Sequence, residues 1–325
     1  MLALTLTAPS FKAPLSAISV GERDAPVAPD GWTTVELRAA SLNHHDVWNM
    51  RGVGVDQSWL PVVMGSDGAG VDADGNEVIV YPLLADPDAG GGDETLDPKR
   101  RMLSDGIDGT FAERIVVPRR NLVPKPAALS WEAAACLPTA WLTAYRMLFG
   151  RGDLPAGSTI LVQGAGGGLS TALIALGRAG GLRVWVTSRS EAKRERALAL
   201  GADAVFEDGA RLPERVDAVM DSVGQATFKH SLRSLKPGGL LIVVGATSGA
   251  EVDPELTRVF LNQLRIIGVA MGTRDELRRL AVLCASAGIE PAVDSTFALA
   301  DAGEGIRRMV DGEVFGKVVF HPAEM

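Results

Sequence analysis

The sequence predicts an α/β protein in which a doubly wound parallel sheet follows a β-rich segment. Two observations carry this prediction. From about residue 125 onward, short apolar runs alternate with helical patterns, which is the order of strands and helices in a parallel sheet. Before about residue 120, the short runs 33–39, 77–81 and 112–117 are separated by turns rich in proline, glycine and aspartate, which is typical of β structure.

A βαβ pattern lies between residues 159 and 208. The apolar run 160–163 enters a turn that contains four glycines, and a helical segment, 170–179, and a second apolar run, 184–186, follow it. This order is typical of a unit that binds the pyrophosphate of a dinucleotide, because glycines let the backbone approach phosphate and a helix N-terminus supplies amide donors. An ordinary flexible loop is the alternative, but the strand and helix beside the turn favour nucleotide binding.

The glycine turn departs from the strict G-x-G-x-x-G pattern. Its best register is Ala165-x-Gly167-x-x-Ser170, in which alanine and serine are small enough for a tight turn and close helix packing. We predict that the turn contacts the cofactor through five residues: Ala165, Gly166, Gly167, Gly168 and Leu169.

The end of the second strand predicts which dinucleotide binds. An NAD site carries Asp or Glu about 20 residues past the glycines, where the carboxylate accepts from the ribose 2′-OH. Ser188 holds this place, and Arg189 and Lys193 follow it. These groups bind a 2′-phosphate that a carboxylate repels, so we predict NADPH as the cofactor. In the alternative, both cations belong to the solvated face of a helix, 190–200, where Glu191 pairs with one of them.

The second half of the chain supplies six strands and a long helix to this prediction. The strands are expected at 160–163, 183–187, 204–206, 216–221, 240–245 and 265–270. A turn, Pro237-Gly238-Gly239, precedes the fifth strand, and a helix over 273–287 places Leu277, Leu280, Ala281 and Cys284 on one face. A last strand, 317–320, is expected to return to the first domain, whose segment 84–110 reads as a polar loop.

Composition excludes several classes of function. A chain of 325 residues is long enough for two domains, and its net charge of −8 argues against nucleic acid or an anionic membrane as the main partner. Cys136 and Cys284 are far apart in sequence and predict neither a disulfide framework nor a thiolate metal site. We find no signal peptide and no apolar run of about 18 residues, so the cytoplasm is the expected location.

Eight stretches, in this order, resemble the medium-chain dehydrogenase/reductase superfamily, and in particular its zinc-free quinone oxidoreductase branch and the zinc-type alcohol dehydrogenase-like proteins. Together they extend over almost the whole chain. They are AASLNHHDVWNMRG (39–52), PVVMGSDGAGVD (61–72), DGTFAERIVVPRRNLVPKP (108–126), AACLPTAWLTAYRML (134–148), ILVQGAGGGLSTALIALGRA (160–179), VTSRSEAKRERALALGAD (186–203), KPGGLLIVVGAT (236–247) and FGKVVF (315–320).

The resemblance implies a domain organisation. A GroES-like domain is expected at 1–122 and 272–325, and a Rossmann NADP-binding domain at 123–271, with a cleft between them. It also implies a homodimer or homotetramer joined through the edge of the Rossmann sheet, with a small molecule as the substrate.

The resemblance also allows the zinc positions to be compared residue by residue. Zinc-dependent members place a Cys where this chain has Asn43, a His and a Glu where it has Ser66 and Asp67, and a third ligand near Thr139. Amide and hydroxyl oxygens are poor zinc ligands, and one carboxylate does not hold the ion alone. The cysteine-rich lobe of that branch matches 84–110, which has no cysteine. We therefore predict neither a catalytic nor a structural metal.

Without a metal, neutral donors are expected to meet the substrate oxygen. The resemblance points to Asn43 as the donor, with Asp46 orienting its neighbours and Thr139 and Thr143 near the nicotinamide, although capping and packing roles are equally compatible with the two threonines. Trp48 stands where some quinone reductases have a tyrosine, so solvent is left as a proton source. The adjacent His44 and His45 are expected to be one solvated and one packed side chain.

Further cofactor contacts follow from the resemblance alone. One set of residues is expected at the end of the fifth strand and a second at the end of the sixth, at the carboxyl edge where such sheets bind ligands. A third group is expected to reach the cofactor from the C-terminal segment, where Lys317 is either a partner of the phosphates or a solvated lysine. The residues are Gly245, Ala246, Thr247, Met271, Gly272, Phe315 and Lys317.

Three functions remain open at this point. The first is an NADPH-dependent reductase that transfers a hydride to a quinone, an enone or a related activated carbonyl without metal. The second is an NADP-linked alcohol or aldehyde dehydrogenase. The third is an NADPH-binding protein with little turnover, acting as a sensor or in a structural role.

Overall fold

The computed structural model describes residues 1–322. The chain forms two units: the first contains Met1–Leu142 and the segment from Thr273 onward, and the second contains Thr143–Gly272. The stretch 123–142, which the sequence assigns to the nucleotide-binding domain, is counted with the first unit, and the domain bounds at 122 and 271 stay a prediction. No helix within residues 1–322 has the length and apolar character that a bilayer crossing requires.

The strands are β1 Leu2–Leu6, β2 Ile18–Glu22, β3 Trp32–Ser41, β4 Val62–Val63, β5 Asp67–Asp72, β6 Glu77–Val80, β7 Leu83–Leu84, β8 Arg101–Met102, β9 Arg114–Pro118, β10 Leu122–Pro124, β11 Thr159–Val162, β12 Arg183–Thr187, β13 Ala204–Phe206, β14 Val216–Asp221, β15 Leu235–Val243, β16 Arg265–Gly268, β17 Val293–Ala298 and β18 Lys317–His321.

The α-helices are α1 His44–Met50, α2 Trp131–Ala135, α3 Leu142–Tyr145, α4 Gly168–Ala179, α5 Glu191–Leu200, α6 Phe228–Ser234, α7 Leu256–Leu261, α8 Arg274–Ala287 and α9 Ala302–Val310. Two π-helical segments, Leu137–Trp141 and Arg146–Gly152, lie on either side of α3. Short 3₁₀ turns occur at Pro14–Ala17, Gln57–Trp59, Ala89–Gly91, Glu94–Leu96, Arg119–Asn121 and Leu299–Asp301.

The main sheet of the first unit brings the two ends of the chain together. Its strand order is β10-β6-β5-β3-β18-β17, and β9 also pairs with β3. The pairing of β18 with β3 is antiparallel and sets Val319 opposite Ser41. On the other side of β3, Ser41 lies opposite Asp67 of β5. The predicted return of the C-terminal strand to the first domain is therefore confirmed, and it places the start of β18 beside the end of β3.

An apolar core holds this arrangement. Leu42, Met50 and Met64 are fully buried in it, and Phe111 meets Phe320 of β18 edge to face, with ring centroids 5.1 Å apart. The segment 84–110, read as a polar loop, contains short turns and the two-stranded pair β7–β8. Met50 belongs to α1, so the core also fixes this helix, which begins three residues after β3.

The second unit is a six-stranded parallel sheet in the order β13-β12-β11-β14-β15-β16. This order confirms the predicted doubly wound sheet, because the chain reverses direction across it between β11 and β14. The helix α4 packs closely on it at Gly177, since a Cβ atom there would lie 2.8 Å from Cγ2 of Val184. The absence of a side chain at Gly177 therefore lets α4 approach β12 closely.

Several strand bounds differ from the sequence prediction: β11 lies one residue earlier than predicted, β18 extends one residue further, and the fifth and sixth strands differ more. The fifth strand, β15, begins at Leu235 rather than at 240, because the turn Pro237-Gly238-Gly239 lies inside it as an irregularity. Gly238 adopts a φ of 76°, and its N–H donates to the Asn262 carbonyl. The sixth strand ends at Gly268 rather than at 270.

The helix α8 matches its prediction. Oγ1 of Thr273 accepts from the Glu276 N–H, and Oε2 of Glu276 accepts from the Thr273 N–H at 2.7 Å. Its expected apolar face is buried: Leu277, Leu280, Ala281 and Cys284.

Candidate active site

The glycine turn lies at the carboxyl end of β11. Gly164 and Gly166 adopt φ angles of 83° and 107°, a region that L side chains rarely adopt. Gly167 is the N-cap of α4, and no side chain caps the helix there. Amide donors of the first turn thus remain for an anion, as a pyrophosphate site requires. Ala165, Gly168 and Leu169 are partly exposed beside this helix start, whereas Gly166 is buried.

A buried polar network supports the turn from below. The Gly164 N–H donates to Oγ1 of Thr187, which donates in turn to Oε1 of Gln163 at 2.7 Å. Nε2 of Gln163 donates to Oγ of Ser231, and Ser231 donates to Oδ2 of Asp221. The ends of β11, β12 and β14 are therefore tied to one another, which fixes the backbone that carries the turn.

The end of β12 carries several cations. Ser188 is buried, and its Oγ accepts from the Ser190 N–H at 3.2 Å, whereas Arg189 is exposed and Lys193 lies in the first turn of α5. Arg194, which the sequence prediction missed, donates to the Ser188 carbonyl at 2.6 Å. The sequence feature that could have identified Arg194 is its position directly after Lys193. No carboxylate occupies the Ser188 position, so these residues are compatible with a 2′-phosphate.

The remaining cofactor candidates of the second unit lie where its strands end. Gly245, Ala246 and Thr247 follow β15, and the Thr247 hydroxyl donates to the Ser222 carbonyl at 3.3 Å. Thr143 is the second residue of α3. Met271, with a φ of 57°, and the buried Gly272 lie beyond β16 rather than at its last residue. Their contact with a cofactor stays a prediction.

Asn43 lies between the end of β3 and the start of α1. It is 6% exposed, and its N–H donates to Oδ2 of Asp46 at 2.8 Å, as in the returning half of a capping box. Asp46 thus holds the backbone turn that carries Asn43, in line with the orienting role expected for it. Burial raises the pKa of Asp46 to about 6, against the lowering effects of His45 and of the Asn43 N–H.

Lys317 joins Asn43 from the start of β18. Its ammonium donates to Oδ1 of Asn43 at 2.7 Å, to the Leu42 carbonyl at 2.8 Å and to Oδ2 of Asp67 at 3.2 Å. The side chain is therefore not the solvated lysine of one alternative drawn from the sequence, because it is buried and its three donors have protein acceptors. Its contact with cofactor phosphates stays a prediction. Phe315, two residues earlier, is buried, and its N–H donates to Oδ1 of Asp294.

Two hydroxyls extend this cluster. Nδ2 of Asn43 lies 3.3 Å from Oγ of Ser66, and Oγ of Ser66 lies 3.3 Å from Oγ1 of Thr139. Ser66 is completely buried, whereas Thr139 is partly exposed in the π-helical segment after α2. The structure thus brings together the predicted residues Asn43, Asp46, Thr139 and Lys317.

A second polar group, absent from the sequence prediction, lies on α1. Nε2 of His45 lies 3.2 Å from Oδ1 of Asp105, and Nδ2 of Asn49 donates to the same oxygen at 3.0 Å. Burial is the largest single effect and acts to lower the pKa of His45, but the hydrogen bond and charge of Asp105 together with the charges of Asp46 and Asp67 outweigh it, so the pKa is raised. His44 is exposed, as expected for one of the two histidines.

Comparison with known proteins gives the family. The model of the alcohol dehydrogenase GroES-like domain matches residues 29–127, and that of the zinc-binding dehydrogenase matches residues 168–287. The acryloyl-coenzyme A reductase of Metallosphaera sedula is 31% identical, over 92% of this chain and 95% of its own. The chain belongs to the medium-chain dehydrogenase/reductase superfamily.

Two solved structures show how wide the chemistry of this superfamily is among similar folds. A crystal structure of an NAD-dependent alcohol dehydrogenase has a TM-score of 0.91 and 32% identity, and covers 99% of each chain. A 2-octenoyl-CoA carboxylase reductase, solved with NADP and 2-octenoyl-CoA, has a TM-score of 0.92 and 25% identity, and covers 100% of this chain and 88% of its own. The expected cofactor therefore agrees with the second structure and differs from the first.

The zinc that one matched family model names does not fit this medium-chain dehydrogenase/reductase. The four positions compared with zinc ligands carry an amide, two hydroxyls and one carboxylate, and the carboxylate of Asp67 already pairs with the Lys317 ammonium. Residues 1–322 contain no group of three or more His, Cys, Asp or Glu side chains placed to hold a metal.

Proposed function

We propose that this protein is an NADPH-dependent reductase of activated carbon–carbon double bonds, with an α,β-unsaturated acyl thioester or enone as the substrate class. The similarity to an acryloyl-coenzyme A reductase supports the thioester, and the similarity to a 2-octenoyl-CoA carboxylase reductase bound to NADP supports both substrate class and cofactor. Quinones, which are also conjugated acceptors, stay within the range to be tested.

One observation carries the proposal. The position that would polarise a substrate carbonyl holds a neutral amide, Asn43, backed by the Lys317 ammonium, instead of a metal donor set. Reduction of a simple aldehyde concentrates charge on one oxygen and benefits from a strong electrophile. In a conjugated acceptor the developing charge spreads over several atoms, so hydrogen bonds from neutral donors suffice.

The residues divide the work as follows. NADPH, when bound, supplies the hydride. The turn from Gly164 to Gly168 and the start of α4 bind its pyrophosphate, and Ser188, Arg189 and Lys193 bind its 2′-phosphate. Asn43 donates a hydrogen bond to the substrate carbonyl oxygen, and Asp46 holds the turn that carries Asn43. Solvent supplies the proton that completes the reduction.

The test is NADPH oxidation with a matched panel of crotonyl-CoA, methyl vinyl ketone, a benzoquinone and a saturated aldehyde. We expect turnover with the conjugated acceptors, unchanged by a chelator, and none with the saturated aldehyde or with butyryl-CoA, which is added as the counterpart of crotonyl-CoA without the double bond. Absence of turnover with every conjugated acceptor, at an NADPH concentration shown to saturate the protein, contradicts the proposal and supports the NADPH-binding protein with little turnover.

An alcohol dehydrogenase is the second candidate, favoured by the similarity to the NAD-dependent enzyme. This candidate predicts that the protein oxidises an alcohol with NAD or NADP. If a metal assists, a chelator is expected to abolish the activity and added zinc to restore it. The donor set around Asn43 argues against the metal-assisted form.

We propose further that two copies associate through the edge of the parallel sheet, and that the protein acts in the cytoplasm. The edge strand β16 exposes Ile266, and the neighbouring α7 exposes Leu256, Phe260 and Leu261, each about two-thirds accessible. A cluster of exposed, large apolar side chains is typical of a protein–protein interface. Light scattering of Phe260→Glu, with Val282→Glu on α8 as the exposed apolar control, is expected to show dissociation only for the first.

A further inference from the structure

Lys317 is a charged side chain in an unusual environment for a lysine. It is 1% exposed, and its ion-pair partner Asp67 is completely buried. A buried ammonium is costly unless paired and hydrogen-bonded, and here every donor has an acceptor: Asn43, Leu42 and Asp67. The contacts are long-range in sequence, because Lys317 and Asn43 are 274 positions apart. The ammonium is thus held at one place by strand pairing.

This contact fixes which way the Asn43 amide faces. An ammonium has hydrogen-bond donors and no acceptor, so only the amide oxygen is able to face Lys317. Nδ2 is then turned toward Ser66, at 3.3 Å, and toward the Ser41 carbonyl, at 3.5 Å. Both distances are long for such bonds, so the N–H groups are directed as donors without being held tightly. With the amide reversed, an oxygen would meet the substrate carbonyl and repel it.

We propose that Lys317 is a positioning residue for the reduction: it fixes Asn43 as a hydrogen-bond donor and polarises its N–H groups with a buried positive charge. The inference rests on the proposed reductase function. It adds the residue that makes the neutral Asn43 amide an effective hydrogen-bond donor to the substrate carbonyl. When an amide oxygen accepts a hydrogen bond from a cation, the N–H groups of the same amide become stronger donors, and the exclusion of water enhances this effect.

Asp67 balances the charge and makes the inference testable. Its Oδ2 also accepts from Oγ of Ser41 at 3.0 Å, so the carboxylate is anchored independently of Lys317. Lys317→Met alone leaves a buried carboxylate without its cation and destabilises the fold. Lys317→Met/Asp67→Asn removes both charges and leaves no uncompensated carboxylate, so we expect this variant to fold while the Asn43 amide loses its ammonium partner.

The experiment compares Lys317→Met/Asp67→Asn with wild type in the full chain. The control is Lys236→Met, which removes a lysine from a partly exposed pair with Asp217. Two readouts are the side-chain amide resonances of Asn43 in protein labelled with ¹⁵N-asparagine, assigned by their loss in Asn43→Ala, and the kinetics with crotonyl-CoA and NADPH. We expect the Asn43 resonances to move, kcat to fall at least about tenfold, and the KM for NADPH to stay within about twofold.

The inference requires both changes. A folded double variant that keeps the wild-type Asn43 resonances, or the wild-type kcat, overturns it. Lys236→Met is expected to leave both readouts unchanged, and a shift there of equal size also overturns the inference. If wild type reduces no conjugated acceptor, the proposed function fails separately, and the resonances alone decide whether Lys317 orients Asn43.

Discussion

Nε2 of His45 lies 3.2 Å from Oδ1 of Asp105, in a contact that joins α1 to the segment between β8 and β9. Burial acts to lower the pKa of His45, but the hydrogen bond and charge of Asp105, together with the charges of Asp46 and Asp67, raise it above its ordinary value. A folded-state pKa above the unfolded value means that protonation stabilises the fold. This stabilisation is fully present below about pH 6.5 and is lost as the pH rises through the raised pKa.

We therefore predict that the free energy of unfolding in urea falls as the pH rises from about 6.5, and that Asp105→Asn reduces this fall. The comparison is made from about pH 7 upward, where Asp46, with a pKa of about 6, is mostly ionised and contributes little. Asp275→Asn is the control, because Arg278 and Arg279 hold the pKa of Asp275 low despite opposing burial, and it does not titrate there. An identical pH dependence in Asp105→Asn and wild type contradicts the prediction.

Asn43→Ala tests the substrate donor. It is expected to lower kcat on the order of 100-fold, the typical effect of losing one preorganised donor, with unchanged NADPH affinity. Asn76→Ala removes an exposed amide between β5 and β6 and serves as the control. Cofactor affinity is followed by nucleotide fluorescence. An unchanged kcat would remove Asn43 from the mechanism.

Arg189→Ala tests the phosphate site. We expect NADPH binding to weaken by about 1.5–3 kcal/mol and NADH binding to change little, because only NADPH carries the group that the guanidinium contacts. Arg183→Ala, at the opposite end of β12 and paired with Glu214, is the matched control. Equal losses for the two nucleotides, measured by titration, would show that the 2′-phosphate does not bind here.

The two cysteines are expected to be inert in the folded protein. Cys136 and Cys284 are unpaired and buried, and burial raises the pKa of each thiol to about 12. At neutral pH both are protonated and shielded from reagents. Ellman's reagent should therefore detect no thiol in native protein and both in denaturant. Fast reaction of one thiol in native protein would be inconsistent with the packing around it.

Gly177→Ala tests the packing of α4. The new Cβ would lie 2.8 Å from the stiff side chain of Val184, so a loss of roughly 1–3 kcal/mol in unfolding free energy is expected. Gly303→Ala in α9 meets no atom within 4 Å and is expected to stabilise by about 0.4–1 kcal/mol. Urea unfolding of both variants gives the comparison, and equal effects would rule out the steric explanation.

Local patterns predicted what depends on local chemistry. The strand, glycine turn and helix from β11 to α4 follow from apolar runs, from glycines with positive φ and from an uncapped helix start. Asn43 was named from the motif around it, and the Asp46 contact that holds its backbone spans only three residues.

Long-range pairing explains what the sequence did not predict. The burial of Lys317 depends on the register of β18 against β3, which no local pattern encodes. The His45–Asp105 contact likewise joins residues 60 positions apart. Arg194 was missed for a different reason: its place on α5 was visible, but its turn toward the Ser188 carbonyl depends on the backbone at the end of β12.

The pairing of β18 with β3 has a consequence for how the chain acquires its structure. The first unit is made from two segments separated by the whole of the second unit, so β3 and Asp67 are synthesised long before β18. β18 is the strand that pairs with β3 and carries the cation that neutralises Asp67. During that interval, β3 has an open side and a carboxylate without its cation. The second unit, by contrast, is emitted without interruption and is able to complete its sheet first.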